Sequence, residues 1–332
     1  MRIALLGGTR FIGVAVVEEL LAAGHDVLVV HRGSVERGDA PAVPHVHADR
    51  RDVGTVGPAL RDFRAEAVVD TCAYSTADAE TALAALPGDA RLVVLSSMDV
   101  YRAFAAVRSG GPATDPLPLD EDAPVRGPGQ RYLFRGTRDH RLGVDEDTYE
   151  NLDVEAVCLP AGATVLRLPM VYGERDPQGR EEPVLGRLRA GRTHIPVGAG
   201  TFVWTKGWVR DVARAVRLAA ETGAGGGQAL NVGEARSVTM AQWFAGAAGA
   251  AGAAVELVRV PDDALPEDLA LTGTVHQHLL VESRRIRELL GWTDTDPSEA
   301  LRASVAWHLA HPPAEPPAPR DWFVDDAALA RA

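Results

Sequence analysis

Met1-Arg-Ile-Ala-Leu-Leu-Gly-Gly-Thr-Arg-Phe-Ile-Gly13 opens the chain, an apolar run that passes without a break into a glycine turn and then into helical spacing. Arg2 to Leu6 reads as a strand buried on both faces, and Gly7 supplies the tight turn. Gly13 lets the helix expected from Ile12 to Ala23 lie close against the sheet, with its first amides aimed at an anion in the turn. A second strand, Asp26 to His31, follows at the spacing of a β-α-β unit. This succession predicts a dinucleotide site lined by Gly7, Thr9, Arg10, Phe11, Ile12 and Gly13.

Arg10 stands where the three-glycine pattern ordinarily has its middle glycine, and the second strand ends in His31-Arg32-Gly33 with no acid to accept from a ribose 2′-hydroxyl. Forked guanidinium donors suit phosphate oxygens, so Arg10 and Arg32 favour NADP over NAD. The competing reading makes both arginines solvated surface residues.

The 332 residues carry 34 Lys and Arg against 46 Asp and Glu, and the formal charge of −12 argues against nucleic acid or an anionic membrane as partner. With no signal-peptide pattern and no apolar run of membrane-spanning length, a cytoplasmic protein is expected. Cys72 and Cys158 are too few for a disulfide framework and read as reduced, buried small hydrophobes. His45 and His47 alternate on a strand, and His276 and His278 form a second pair. Neither pair has a carboxylate or cysteine at ligand spacing, so no metal site is expected and these histidines read as structural or surface residues.

Strand and helix alternate up to Leu95, with strands expected at His45 to Ala48, Ala67 to Asp70 and Arg91 to Leu95, and helices near Val53 to Phe63 and Thr76 to Leu86. Such alternation implies an α/β fold, a Rossmann-type doubly wound parallel sheet with ligands at the carboxyl ends of its strands. Tyr101 to about Asp147 turns Gly-, Pro- and charge-rich and reads as a long loop. Helical pattern resumes near Tyr149 with Asp147 as expected N-cap and Glu150 as its capping-box partner. A buried strand at Thr164 to Leu168 ends the expected nucleotide domain, residues 1–168 with an insertion at 102–147. Residues 169–332 read as a smaller, mixed C-terminal substrate lobe, parts of which return to the sheet. The tail Pro312 to Pro319 reads as stiff and extended, with Trp322 and Phe323 anchoring its end.

Seven collinear segments carry a resemblance: Gly7-Gly-Thr-Arg-Phe-Ile-Gly13, Asp49-Arg-Arg-Asp52, Ser96-Ser-Met-Asp-Val-Tyr101, Leu166-Arg-Leu-Pro-Met-Val-Tyr-Gly173, Val209-Arg-Asp-Val-Ala213, Asn231-Val-Gly233 and Arg287-Glu-Leu-Leu-Gly-Trp292. Together they resemble the extended short-chain dehydrogenase/reductase family, the NAD(P)-dependent epimerase/dehydratase group, over nearly the whole chain. The resemblance implies an enzyme with bound NAD(P), to which Asp49, Cys72 and Pro169 also contribute, acting on a small-molecule substrate, and it extends to homodimers formed through the Tyr149 helix. It implies that Ser97 orients a reacting carbonyl or hydroxyl and that Tyr149 is the acid/base phenol. The family's lysine four residues after that tyrosine is here Asp153.

On a helix, Asp153 would share a face with Tyr149 and place an anion where an ammonium is usual, raising the phenol instead of lowering it. Three readings follow. Tyr149 donates a proton as a neutral phenol while Arg131, Arg135, Arg138 or Arg141 neutralises Asp153, giving a reductase. Alternatively Asp153 or Asp99, two residues after Ser97, transfers protons in a redox-neutral epimerisation or dehydration. Or the fold only binds nucleotide, as an inactive or RNA-associated protein. Tyr74 and Tyr132 are the other phenols placed to replace Tyr149. On the substrate side, Trp204 stands where sugar-nucleotide members place a diphosphate-clamping arginine. With Phe202 and Trp208 it suggests an aromatic pocket for a less polar, biosynthetic substrate, while Arg187, Arg189 and Arg192 leave an anion site open.

Overall fold

The computed structural model describes residues 1–33, 41–131, 147–313 and 322–332. Its centre is a seven-stranded sheet built from β1 (Arg2–Leu6), β2 (Asp26–His31), β3 (His45–His47), β4 (Ala67–Asp70), β5 (Arg91–Ser97), β6 (Thr164–Leu168) and β10 (Ala229–Asn231). The order is β10-β6-β5-β4-β1-β2-β3 and every pairing is parallel. Near-continuous apolar strands such as Ala67–Asp70, buried at every position, demand cover on both faces. One face is covered by α1 (Phe11–Ala22) and α7 (Val209–Thr222), the other by α2 (Val53–Asp62), α3 (Thr76–Ala85) and α5 (Asn151–Cys158). All strand carboxyl ends therefore meet at one rim.

A second core gathers Tyr172, Phe202, Trp243, Phe244, Leu269 and Leu301. It joins α4 (Arg102–Ser109), α6 (Glu182–Arg189), α8 (Met240–Ala250) and α10 (Pro297–Ala310) with two small parallel pairs. These are β7 (Met170–Tyr172) with β9 (Lys206–Trp208), and β8 (His194–Val197) with β11 (Glu256–Arg259). α9 (Arg284–Leu290) returns its Ile286 and Leu290 to the first core. At the C-terminus α11 (Phe323–Leu329) is fixed by Asp325, which with Asp268 holds the buried Arg187 (2.7 Å each). The Trp322 ring lies under the guanidinium groups of Arg187 and Arg192, while Phe323 is 73% exposed, so the tryptophan joins Asp325 in anchoring this end. No described helix is long and apolar enough to cross a membrane.

Two expectations change. The segment after Tyr101 begins with helix α4, because Ala103 to Ala106 are buried helix formers and Gly110, at φ +66°, closes the helix in the left-handed region. The rest of that segment up to Arg126 is the loop expected, pinned to the chain at points: Leu119 N–H donates to Leu280 O (2.7 Å), and Gln277 Oε1 accepts from the Thr114 and Asp115 amides. Nor does Asp147 cap a helix at Tyr149. α5 starts two residues past Tyr149, with Glu150 as N-cap accepting from the Leu152 amide (3.0 Å).

Candidate functional site

At the end of β1 a side-chain carbon on Gly7 (φ +100°) would stand 2.2 Å from Thr71 Oγ1, and one on Gly13 would stand 2.5 Å from Gly8 Cα. Only glycine admits this approach of helix to turn. Helix α1 starts without a side-chain cap and without an acid in its first turn, so its leading amides face the turn and are suited to an anion. Thr9, Phe11 and Ile12 are half-buried around this opening, and Arg10 and Arg32 are exposed beside it, past β1 and β2. Asp49 is exposed past β3 and accepts from the Arg51 amide. The Cys72 sulfur faces the turn, 3.3 Å from where a Gly7 side chain would begin, and burial pushes its thiol up to about 12. Pro169 is buried at the β6–β7 junction. The cradle fits a pyrophosphate, and with it the dinucleotide expected here.

A second group of residues gathers at the end of β5. Ser97 Oγ accepts from the Asp99 amide (3.2 Å), capping the single turn Met98–Val100 that carries the Asp99 carboxylate inward to 2% exposure. Tyr149 donates its phenol proton to Asp99 Oδ2 (2.8 Å). Asn151 Nδ2 reaches the Tyr149 oxygen (2.7 Å) and both Asp99 oxygens (3.3 Å). Burial pushes the Asp99 carboxyl up to about 6, against the pull of Arg126 and these hydrogen bonds. Burial and the Asp99 charge together hold the Tyr149 phenol well above its ordinary value, so it is a neutral donor. The Tyr74 ring lies 5.7 Å from the Tyr149 ring.

Because Tyr149 precedes the helix instead of lying on it, the expected shared face does not form, and Asp153 pairs with Arg131 Nη1 (2.8 Å). The expected neutralising arginine is thus present, and the same Nη1 lies 3.9 Å from Glu150 Oε1. Arg135, Arg138, Arg141 and Tyr132 lie outside the described residues. Among the described residues, the cation in contact with the cluster is Arg126, buried, bound to both oxygens of Glu150 (2.9 and 2.7 Å) and 3.5 Å from Asp99 Oδ1. Sequence spacing pointed to neither Arg126 nor Asn151. Behind the cluster, the motif residues Tyr101 and Asn231 are joined by a hydrogen bond (2.7 Å), and Arg167 binds Glu155 (2.7 Å).

On the substrate side Trp204 Nε1 donates to Met98 Sδ (3.0 Å), beside Ser97, with the rings of Phe202 and Phe104 at 5.9 and 6.2 Å. Phe202 itself is fully buried and belongs to the core. Arg187, Arg189 and Arg192 do not form an anion site: Arg187 holds Asp268 and Asp325, Arg189 pairs with Glu182 and Arg192 with Asp326. Arg180, which sequence reading overlooked, lies over the Trp204 ring at 5.8 Å. Lys206, the chain's only lysine, is 2% exposed, donates to Trp204 O (3.1 Å) and lies over the Trp243 ring. Burial lowers its ammonium to about 8. Finally, His45 and His47 do not stand alone on their strand, since His31 joins them in one cluster.

The family model described as "NAD dependent epimerase/dehydratase family" matches residues 3–113. A 3-diazoavenalumate denitrifying reductase from Streptomyces sp is 30% identical over 320 residues, covering 90% of this chain and 97% of that protein. Among solved structures, UDP-glucose 4-epimerase from Thermotoga maritima with UDP-glucose superposes with a TM-score of 0.68 at 22% identity, over 93% of this chain and 99% of the other. The dTDP-glucose 4,6-dehydratase from Bacillus anthracis in complex with NAD gives 0.69 at 15% identity, over 94% and 97%.

Proposed function

The chain is an enzyme of the NAD-dependent epimerase/dehydratase family, and from that premise we propose that it is an NADP(H)-dependent oxidoreductase of a small organic carbonyl or alcohol, working in cytoplasmic, biosynthetic metabolism. The observation that carries this reading is the buried Tyr149–Asp99 hydrogen bond at the strand end that Ser97 closes.

Gly7, Gly13 and the α1 amides would hold the pyrophosphate, with Arg10 and Arg32 on the 2′-phosphate, and the bound nicotinamide supplies or accepts a hydride. Ser97 orients the substrate oxygen. Tyr149 gives its proton to that oxygen during reduction and recovers one from Asp99; in oxidation the proton returns through the phenol to the carboxylate. A phenol held so far above its ordinary value stores no charge, so the carboxyl takes over the role that the absent ammonium would serve. Asn151 keeps both partners aligned.

Trp204 in place of a guanidinium, and the commitment of Arg187, Arg189 and Arg192 to carboxylates, weigh against a diphosphate and toward a less polar carbonyl. The reductase relative agrees with that direction. A second reading, redox-neutral epimerisation or dehydration, draws on Asp99 itself, whose raised carboxyl suits removal of a proton from carbon. NADPH carrying deuterium at C4, incubated with a panel of ketones, separates the two: label in the alcohol product supports the oxidoreductase, while converted but unlabelled product supports the alternative. Fluorescence titration that finds NADH bound more tightly than NADPH would overturn the two-arginine argument. A homodimer rests on the resemblance alone, and sedimentation velocity measures it.

A further inference from the structure

We infer that His31, His45 and His47 form a binding site for a transition-metal dication of the zinc type, at the sheet edge beside the glycine turn. β2 and β3 run parallel with His31 opposite His47 and Val29 opposite His45. Side chains two apart on a strand share a face, so all three imidazoles project from one side of the sheet. It is the side on which Val29 lies under the glycine turn, 3.2 Å from where a Gly8 side chain would begin.

One nitrogen from each ring lies within 4.8 Å of the others, and His31 Nε2 and His45 Nδ1 are only 2.8 Å apart. The His31 and His47 rings meet edge to face at 4.8 Å. An ion about 2.0–2.1 Å from each nitrogen would take the place of the proton shared by His31 and His45, once that pair opens slightly and the more distant His47 nitrogen closes in. Imidazole nitrogen is the donor that zinc, nickel and copper favour. His31 is buried while His45 and His47 are exposed, so the ion enters from solvent.

The proton balance adds a consequence. The Gly33 amide donates to His31 Nδ1 (3.1 Å), which leaves the His31 proton on Nε2, between the two rings. Coordination through Nε2 sends that proton to Nδ1, where it opposes the Gly33 amide and breaks the bond. The Arg32-Gly33 turn then shifts, as the φ of +74° at Gly33 and its lack of a side chain permit. If Arg32 grips the 2′-phosphate, an occupied metal site weakens NADPH binding. That coupling rests on the proposed function; the metal site does not.

Chelator-treated full-length protein, titrated with Co²⁺ as a visible-absorbing probe and with Zn²⁺ by calorimetry, tests the site without cofactor. The expected result is one ion per chain with the intense visible bands of a four-coordinate site. His45→Ala and His47→Ala, both at exposed positions, should each weaken binding by at least the roughly tenfold that loss of an outer-shell partner costs. His276→Ala should change nothing. No saturable binding, or binding retained in the His45→Ala/His47→Ala double variant, overturns the site. Zn²⁺ should also lower NADPH affinity in the parent and not in the double variant; stoichiometric Zn²⁺ with unchanged NADPH affinity keeps the site and overturns the coupling.

Discussion

Asp99 concentrates the chemistry that a single residue can carry. Asp99→Asn keeps the shape and removes the proton relay, so kcat should fall by about 10²–10⁴. Its carboxyl, pushed up to about 6 by burial, also sets the sign of the pH dependence. Oxidation needs the ionised form and gains rate as pH rises through that value; reduction draws on the protonated form and loses rate over the same interval. Profiles of kcat/KM in both directions check this, and limbs of the same sign would contradict it. Asp153→Ala is a contrasting case: its pair with Arg131 is part-exposed and Tyr149 lies outside its helix, so the expected change is under about 1 kcal/mol in stability and under about threefold in kcat. Ser97 and Asp99 are proposed from their fixed offsets in the segment Ser96 to Tyr101 and Tyr149 from the resemblance alone, and the structure brings Tyr149 and Asp99 within hydrogen-bond distance. Arg126 and Asn151 were not legible in the sequence, because their positions depend on the chain folding back over the end of β5.

The glycine turn and the strands were readable at the level of elements, since buried parallel strands and close helix packing leave direct marks on composition. Gly13→Ala should abolish NADPH binding and lower Tm, because the new methyl would meet backbone at Gly8 and neither side can yield. Gly129→Ala, with open space around it, should leave both unchanged. Differential scanning fluorimetry with and without NADPH measures the pair. The start of α5 was hidden for a physical reason: Glu150 caps the helix while Arg126 grips its carboxylate, and that long-range ion pair competes with the local pattern Asp147 offered. Helix α4 was obscured by the glycines and prolines that follow it, which made the whole segment look like a loop.

Across the molecule, the acidic balance concealed how the arginines are spent, since Arg187, Arg189 and Arg192 beside the second core each neutralise carboxylates. Arg187 is the plainest case. Arg187→Met strands the buried Asp325 and should cost about 3–5 kcal/mol, releasing α11 to proteases before the rest of the chain; limited proteolysis with a Tm measurement checks the order. The burial of Lys206 has a consequence of another kind. Reagents that seek side-chain amines find none on the surface of the folded enzyme, so acylation at this single position serves as a clock for opening of the second core: it should be slow in the native state, accelerate with denaturant, and slow again whenever a bound molecule holds Trp204 in place.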